Sequence, residues 1–380
     1  GKPSDDQIKR GANDAELLRL REAERVLFPQ PLTGVELGFD FSPPAATGPE
    51  VDASGLPSGV TSRPGSEPVS TSDAAWLRSL TQPDLPTRYD ERVVRYLRFY
   101  RDTPSGRSIA RIWAKKAGRF TAAIKAELGR AGLPLDLIWL SLIESGHNPT
   151  IVSRAGAAGL WQFIPESARM YGLTVDRWVD ERLDPERSTE AAVRYLSDLR
   201  ARFGSGELAM AAYNMGHGGL LRAVRKFNTN DFWTLSRYET GLPWEPTLYV
   251  PKILATAIVM ANKKAFGVDD VEADPPITFD TVSVGTNVDL GDVARAADVP
   301  AADVLALNAA YLQGRTPPPS ATPRRWDVRV PSGRGLLAEQ RLAELAHRVS
   351  GAATSEPHVV RFGDTLDSIA TDYGTSTHEL

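Results

Sequence analysis

The sequence predicts a mainly α protein, a helical domain followed by small strand-helix-helix-strand modules. From about Ala74 to Lys264, apolar residues recur with helical spacing almost without interruption. Beyond Pro275 the pattern changes to short strands that flank short helices. Two stretches 76 residues apart then align without a gap, so that Leu290, Val293, Ala294, Val299 and Val304 fall opposite Leu366, Ile369, Ala370, Thr375 and Leu380. With 380 residues there is chain for two or three domains and a sizeable core. The expected division is an N-terminal helix and Pro/Gly-rich arm or linker over 1–72, a helical domain over 73–268, a degenerate module over 275–350 and the start of a second module over 356–380. The second copy stops where its second helix is due.

Taken in order, residues 5–28 have helical spacing with Leu17, Leu18, Leu20, Val26 and Leu27 loosely on one side. Ten of the thirty residues 41–70 are Gly or Pro, which reads as an extended arm or linker. "DERVVRYLRFYR" (90–101) puts Val93, Val94, Leu97 and Tyr100 on one stripe, and "SIARIWAKKAGRFTAAIKAELGRAG" (108–132) reads as the next helix. Leu133-Pro134 opens a helix that carries Glu144. "STEAAVRYLSDLRARFG" is expected to start at a capping Ser188 and stop at Gly204. "GELAMAAYNMG" and "GGLLRAVRKF" are two further short helices, and "LYVPKILATAIVMANKKA" closes the region, with Pro251 read as a helix-starting proline. "ITFDTVSV" and "RWDVRVP" are strands, with two short helices separated by Pro300 between them.

Composition narrows the function. At 42% hydrophobic, 24% charged and net charge −4, the chain lacks the clustered basic excess of a nucleic-acid binder. Its longest apolar runs, such as 253–261, are too short for a transmembrane span, which needs about 20 residues. No cysteine is present, which removes thiol nucleophiles, thiolate metal sites and disulfides. The five histidines (147, 217, 347, 358, 378) show no metal spacing, and no cofactor or metal is expected. His147 and His217 read as surface or capping groups.

"WLSLIESGHNP" (139–149) sets one carboxylate, Glu144, at the end of an apolar run and just before a breaker. Among Leu140, Leu142 and Ile143 this Glu would be partly desolvated, and desolvation raises a carboxyl pKa toward that of a general acid. The negative end of the helix dipole acts the same way. An ordinary helix-end Glu that snorkels to solvent fits the same letters. "SRAGAAGLWQFIP" (153–165) combines small residues with Trp161, Gln162 and Phe163, a mixture suited to sugars, although it also fits a structural turn. "AAYNMG" (211–216) places Tyr213 and Asn214 at a helix end, and "YVPKILA" (249–255) adds Tyr249.

In this order and spacing, Glu144-Ser145 with Asn148-Pro149, Gly156-Ala157, Gly159-Leu160-Trp161-Gln162-Phe163, Ala212-Tyr213-Asn214 and Tyr249-Val250-Pro251-Lys252 resemble the D-type membrane-bound lytic murein transglycosylases. These belong to a wider group with the goose-type lysozyme-like fold. The C-terminal copies resemble LysM modules, "GDTLDSIA" (363–370) closely and 279–331 in degenerate form. The resemblance implies that Glu144 is a single catalytic acid/base, that Ser145 orients it or bonds substrate, and that Gln162, Tyr213, Asn214 and Tyr249 line a saccharide cleft. It further implies peptidoglycan glycan strands as partner, a monomeric periplasmic enzyme at a Gram-negative outer membrane, and a lipid anchor before residue 1. His147 stands where Phe or Tyr is common, and Pro246 where Thr often follows the Glu matching Glu245.

Glycosidases commonly use two carboxylates, with substrate-assisted enzymes an exception. From Ser145 to Pro165 there is no Asp or Glu, in keeping with a one-carboxylate enzyme, while Asp136, Glu166, Asp176 and Asp180 remain candidates to fold near the cleft. The rival readings are a hydrolytic muramidase on the same fold and a catalytically silent peptidoglycan-binding protein.

Overall fold

In the computed structural model, residues 15–29, 74–238, 241–319 and 325–352 are described, together with 358, 360, 364–373 and 377. The arm over 41–70 and the helical spacing over 5–14 lie outside the described residues. Helices α1 (Ala15–Leu27), α2 (Ala74–Ser79), α3 (Glu91–Asp102), α4 (Pro104–Ala117), α5 (Thr121–Arg130), α6 (Ile138–Ser145), α7 (Pro165–Met170), α8 (Pro185–Phe203), α9 (Gly206–Met215), α10 (His217–Phe227), α11 (Phe232–Leu235) and α12 (Trp244–Ala261) build the larger body. Its core is one cluster centred on α12, which packs on α3, α9 and α6, with Trp113 and Trp161 fully buried in it.

Three elements differ from expectation, each for a local reason. The stretch 108–132 is two helices broken at Gly118, where an added Cβ would lie 2.1 Å from Asp274 O, so the incoming chain needs glycine there. α8 starts one turn early, because Asp184 accepts from the Glu186 and Arg187 N–H groups and Pro185 takes the first helical position, while Ser188 only donates back to Asp184 O. Pro251 lies inside α12 and does not start it. The Thr247 carbonyl that its missing N–H would have bonded instead accepts from Arg92 Nη1 at 3.4 Å, so a tertiary donor replaces the lost helical one.

The second body pairs β1 (Phe279–Val284) antiparallel with β2 (Trp326–Pro331), Phe279 opposite Pro331 and Val284 opposite Trp326. Val282, Val284, Val328 and Val330 face helices α13 (Leu290–Ala297) and α14 (Ala301–Leu307), as the period-2 alternation requires. α15 (Gly335–Ala352) closes it through buried Ala338. In the repeat, α16 (Leu366–Tyr373) forms at the place of α13 and buries Ile369 and Ala370, whereas Leu366 is 66% exposed where Leu290 is buried.

The module is docked on the helical body. Arg329 of β2 grips the N-cap Asp184 with both terminal nitrogens (2.8 and 2.9 Å) and Glu186 at 2.8 Å. Asp180 N–H donates to Ala310 O at 2.9 Å, and Leu312 N–H to Trp178 O at 2.9 Å. Ala309 and Leu312 pack on Val152, Ala158 and Leu183. Removing one partner of such a shielded pair strands the other charges, so Arg329→Ala should cost about 2–4 kcal/mol of thermal stability and speed proteolytic cleavage at the junction near 268–279. A variant with wild-type melting and protease resistance would show that the contact is not what holds the module.

Candidate active site

α6 is an eight-residue helix, preceded by a 3₁₀ turn at Leu135–Leu137, whose side chains from Ile138 to Ile143 are all buried. A helix apolar all round must sit inside the body. Gly146 ends it in the left-handed conformation (φ 60°), its N–H bonding Leu142 O at 2.8 Å. Glu144 is thereby held in the last turn with its carboxyl group shielded by protein. Burial raises its pKa to about 7, and nearby Glu245 pushes the same way. The Tyr249 hydroxyl donates to Glu144 Oε1 at 2.5 Å and opposes the rise, as do Lys252 and Arg21. Tyr249 is itself buried, and burial and Glu144 keep its phenol protonated. The pair is an acid near neutrality with one fixed donor.

Tyr213 is the second tyrosine within electrostatic reach of Glu144. Its hydroxyl donates to Trp161 O at 2.7 Å, and its ring lies 5.1 Å from Tyr195 and 6.3 Å from Phe163. Gln162, next to that carbonyl, adopts φ 49°, and its amide donates to Ile151 O (3.2 Å) and Gly159 O (2.9 Å). It therefore laces the 151–163 loop together and keeps its side-chain oxygen as an acceptor. Asn214 is half-buried on α9, and among the described residues no hydrogen bond joins it to Glu144. Ser145 departs from expectation: it is fully buried and its hydroxyl donates to Ser141 O at 3.0 Å, because the residue after Glu144 turns into the core side of α6. Ser145 steadies the helix and does not present itself to a ligand.

His147 also departs. It is fully buried at φ 54°, with its ring edge-on to Phe120 at 6.0 Å. Neither ring nitrogen makes a hydrogen bond of good geometry, although the Ile138 carbonyl lies near enough to favour a ring proton slightly. Burial holds its pKa down to about 3, so this histidine is neutral and serves as an aromatic filler. The acids left open by sequence are otherwise engaged or remote. Asp136 accepts from Trp139 Nε1, Asp176 caps the Trp178 and Val179 N–H groups, Asp180 pairs with Arg182, and Glu166 is exposed.

Arg182 is a residue that sequence reasoning passed over. Held by Asp180 at 2.7 Å, it donates to Gly156 O (2.7 Å) and Phe163 O (2.9 Å) and so fixes both ends of the small-residue loop. The signal was present: "DER" occurs at 90–92 and 180–182, and in both places Asp grips the Arg two residues on. Gly159 belongs to the same clamp, since at φ 80° an added Cβ would lie 1.7 Å from Arg182 O.

A family model described as "Transglycosylase SLT domain" matches residues 122–236, which takes in Glu144, Gln162, Tyr213 and Asn214 and stops short of Tyr249. "Lytic transglycosylase MltD, LysM-like domain" matches 278–347 and "LysM domain" matches 358–380. The helical body thus carries a transglycosylase SLT domain, and the C-terminal modules are of the LysM type. The chain is 32% identical over 270 residues to membrane-bound lytic murein transglycosylase D of Escherichia coli K12, an alignment covering 68% of this chain and 58% of that protein. The chain thus spans rather more than half the length of that relative. The peptidoglycan transglycosylase gp16 of Escherichia phage T7 is 36% identical over 109 residues, 28% of this chain and 8% of its own. The 70 kDa soluble lytic transglycosylase of Escherichia coli superposes with a TM-score of 0.33 at 23% identity, covering 38% of this chain and 24% of that one. Among the described residues, no helix is long and apolar enough to cross a membrane, and no cluster of His, Cys, Asp or Glu fits a metal ion.

The state of His147 predicts a stability profile. Its folded pKa lies below the unfolded value of about 6.5, so its contribution is complete above that pH and is lost as pH falls toward about 3. His147→Phe should melt at or above the wild-type temperature at neutral pH and lose less stability between pH 6.5 and 4. Parallel acid-side losses in both proteins would show that this ring does not titrate on unfolding.

Proposed function

We propose that this chain is a peptidoglycan lytic transglycosylase that cleaves the β-1,4 bond between N-acetylmuramic acid and N-acetylglucosamine without water and leaves 1,6-anhydromuramic acid ends. The observation that carries the reading is Glu144, one shielded carboxyl group with its pKa raised to about 7 and a tyrosine hydroxyl fixed on one oxygen. A group poised at that pKa both gives and takes a proton near neutral pH. The names of the relatives supply the substrate class.

In the reaction, protonated Glu144 gives its proton to the glycosidic oxygen, and the bond from C1 of the muramic residue to that oxygen breaks. The substrate's own 2-acetamido carbonyl stabilises the cationic C1. The Glu144 carboxylate then takes the proton of the muramic 6-hydroxyl as O6 bonds to C1, which closes the anhydro ring and restores the acid. Tyr249 holds the carboxyl group in place through both states. Tyr213, Gln162 and Asn214 border the glycan, with Gln162 offering its amide oxygen. The LysM-type modules bind the wall, and the docked module at 278–347 keeps the 151–163 loop in register with the catalytic body. The enzyme acts as a monomer in the periplasm, lipid-anchored at the outer membrane of a Gram-negative cell.

Glu144→Gln should lower cleavage of purified peptidoglycan by roughly a hundred- to ten-thousandfold while sparing binding to it. Mass analysis of wild-type products should find ends lighter by one water than reducing ends. A majority of reducing ends would make the enzyme a hydrolytic muramidase, and retained cleavage by the variant would mean another acid does the work. Tyr249→Phe removes the donor that favours ionised Glu144, so the alkaline limb of its pH–rate profile should move to higher pH while the maximal rate falls. A limb moving to lower pH would contradict the assigned direction of that hydrogen bond.

A further inference from the structure

Helix α1 is outside the span that matches the SLT domain, yet it is packed against the site. Leu20 and Phe28 are buried, Phe28 lies 4.9 Å from the Tyr96 ring, and Arg95 Nη1 donates to Leu27 O at 3.2 Å. Glu16 pairs with Lys116, and its carboxylate lies 3.1 Å from where a Cβ on Gly146 would stand, two residues past Glu144. Two turns further on, Glu24 Oε1 accepts from Lys252 Nζ at 2.6 Å and from Tyr96 OH at 2.7 Å. Both carboxylate and ammonium are only 14% exposed. Lys252 follows Tyr249 by three residues on α12, so the two side chains share a face, and Tyr249 is the residue that bonds Glu144.

We propose that Glu24 is a positioning residue for the catalytic acid: by pairing with Lys252 it holds that ammonium toward α1 and prevents it from becoming the counter-ion of Glu144. The inference rests on the reading of Glu144 as the acid. The charged and titratable groups around Glu144 are Tyr249, Lys252 and Glu245 from α12, Tyr213 from α9 and Arg21 from α1. Of the cations, Arg21 is exposed and screened by water, whereas Lys252 is shielded and would act at nearly full strength if unpaired. A cation within a few ångströms stabilises a carboxylate and lowers its pKa, which would leave too little protonated Glu144 at neutral pH. Paired with Glu24, Lys252 presents a dipole in place of a charge.

The test is the pH dependence of kcat/KM for solubilisation of peptidoglycan by the full chain. In Glu24→Gln the alkaline limb should move down by about one unit, a loss of about tenfold near pH 8 with a nearly wild-type rate near pH 5.5. Adding Lys252→Gln to that variant removes the freed charge and should return the limb to its wild-type position. A rate lowered equally at every pH, a limb that does not move, or a double variant that fails to restore it would overturn the proposal, because loosening of α1 alone produces those results. Glu144→Gln, assayed alongside, separates the two readings. If it is inactive and the limb stays put, only the role of Glu24 fails, whereas if it is active the acid assignment fails with it.

Discussion

Moving a carboxyl group out of water costs several kcal/mol unless it is protonated or paired, and the last turn of α6 half-buries Glu144 with, among the described residues, one hydroxyl bonded to it. The rest of the helical body follows from that placement. An eight-residue helix, short and apolar all round, has no stability of its own. α12 and α5 pack against it, and α12 and α9, themselves packed together, supply Tyr249 and Tyr213 from fixed positions. Trp161 ties the loop above to the core twice, through its indole N–H to Thr189 at 2.9 Å and its carbonyl to Tyr213.

The loop from 151 to 163 is the second constraint, and it is satisfied by charges set away from the chemistry. Small residues let this segment come close to a ligand, but such residues have little side chain to pack. The structure replaces packing with hydrogen bonds. Arg182 takes the carbonyls of Gly156 and Phe163, and Gln162 takes those of Ile151 and Gly159. Beyond the clamp, Ala309 and Leu312 of the docked module cover Val152 and Ala158. Arg182 and Arg329 thus anchor the same region from its two sides, each on an aspartate that also caps backbone.

Much of this was legible in the letters. Amphipathic spacing located the helices because burying an apolar stripe is a local pattern with a global cause, and the strand pair of the module fell within two residues of its expected bounds. What escaped depended on partners far away in sequence. Pro251 looks like a helix start until Arg92, 159 positions earlier, supplies the donor that α12 lacks. Gly118 looks tolerable inside a helix until Asp274 is laid against it. Ser145 and His147 look polar and exposed in "ESGHNP", and only the packing of α6 shows both to be interior. Glu144, Tyr249, Tyr213 and Gln162 were reachable because they stand in short ordered motifs. Arg182 was signalled only by the repeated "DER", and Glu24 not at all, because a salt bridge leaves little trace in a sequence beyond the presence of its two charges.

The burial of His147 bears on the proposed one-carboxylate chemistry. A charged imidazolium three residues from Glu144 would favour the ionised acid, just as an unpaired Lys252 would. His147 is instead neutral by desolvation, Tyr249 and Tyr213 are protonated, and the opposing charge of Lys252 is paired with Glu24. Glu245, at the first turn of α12, adds a negative charge that pushes the same way. The proton on Glu144 is kept first by the burial of its own carboxyl group and then by Glu245. The hydrogen bond from Tyr249 works against that rise in pKa, and in the proposed reaction it is what lets the carboxyl group still release its proton to the departing oxygen.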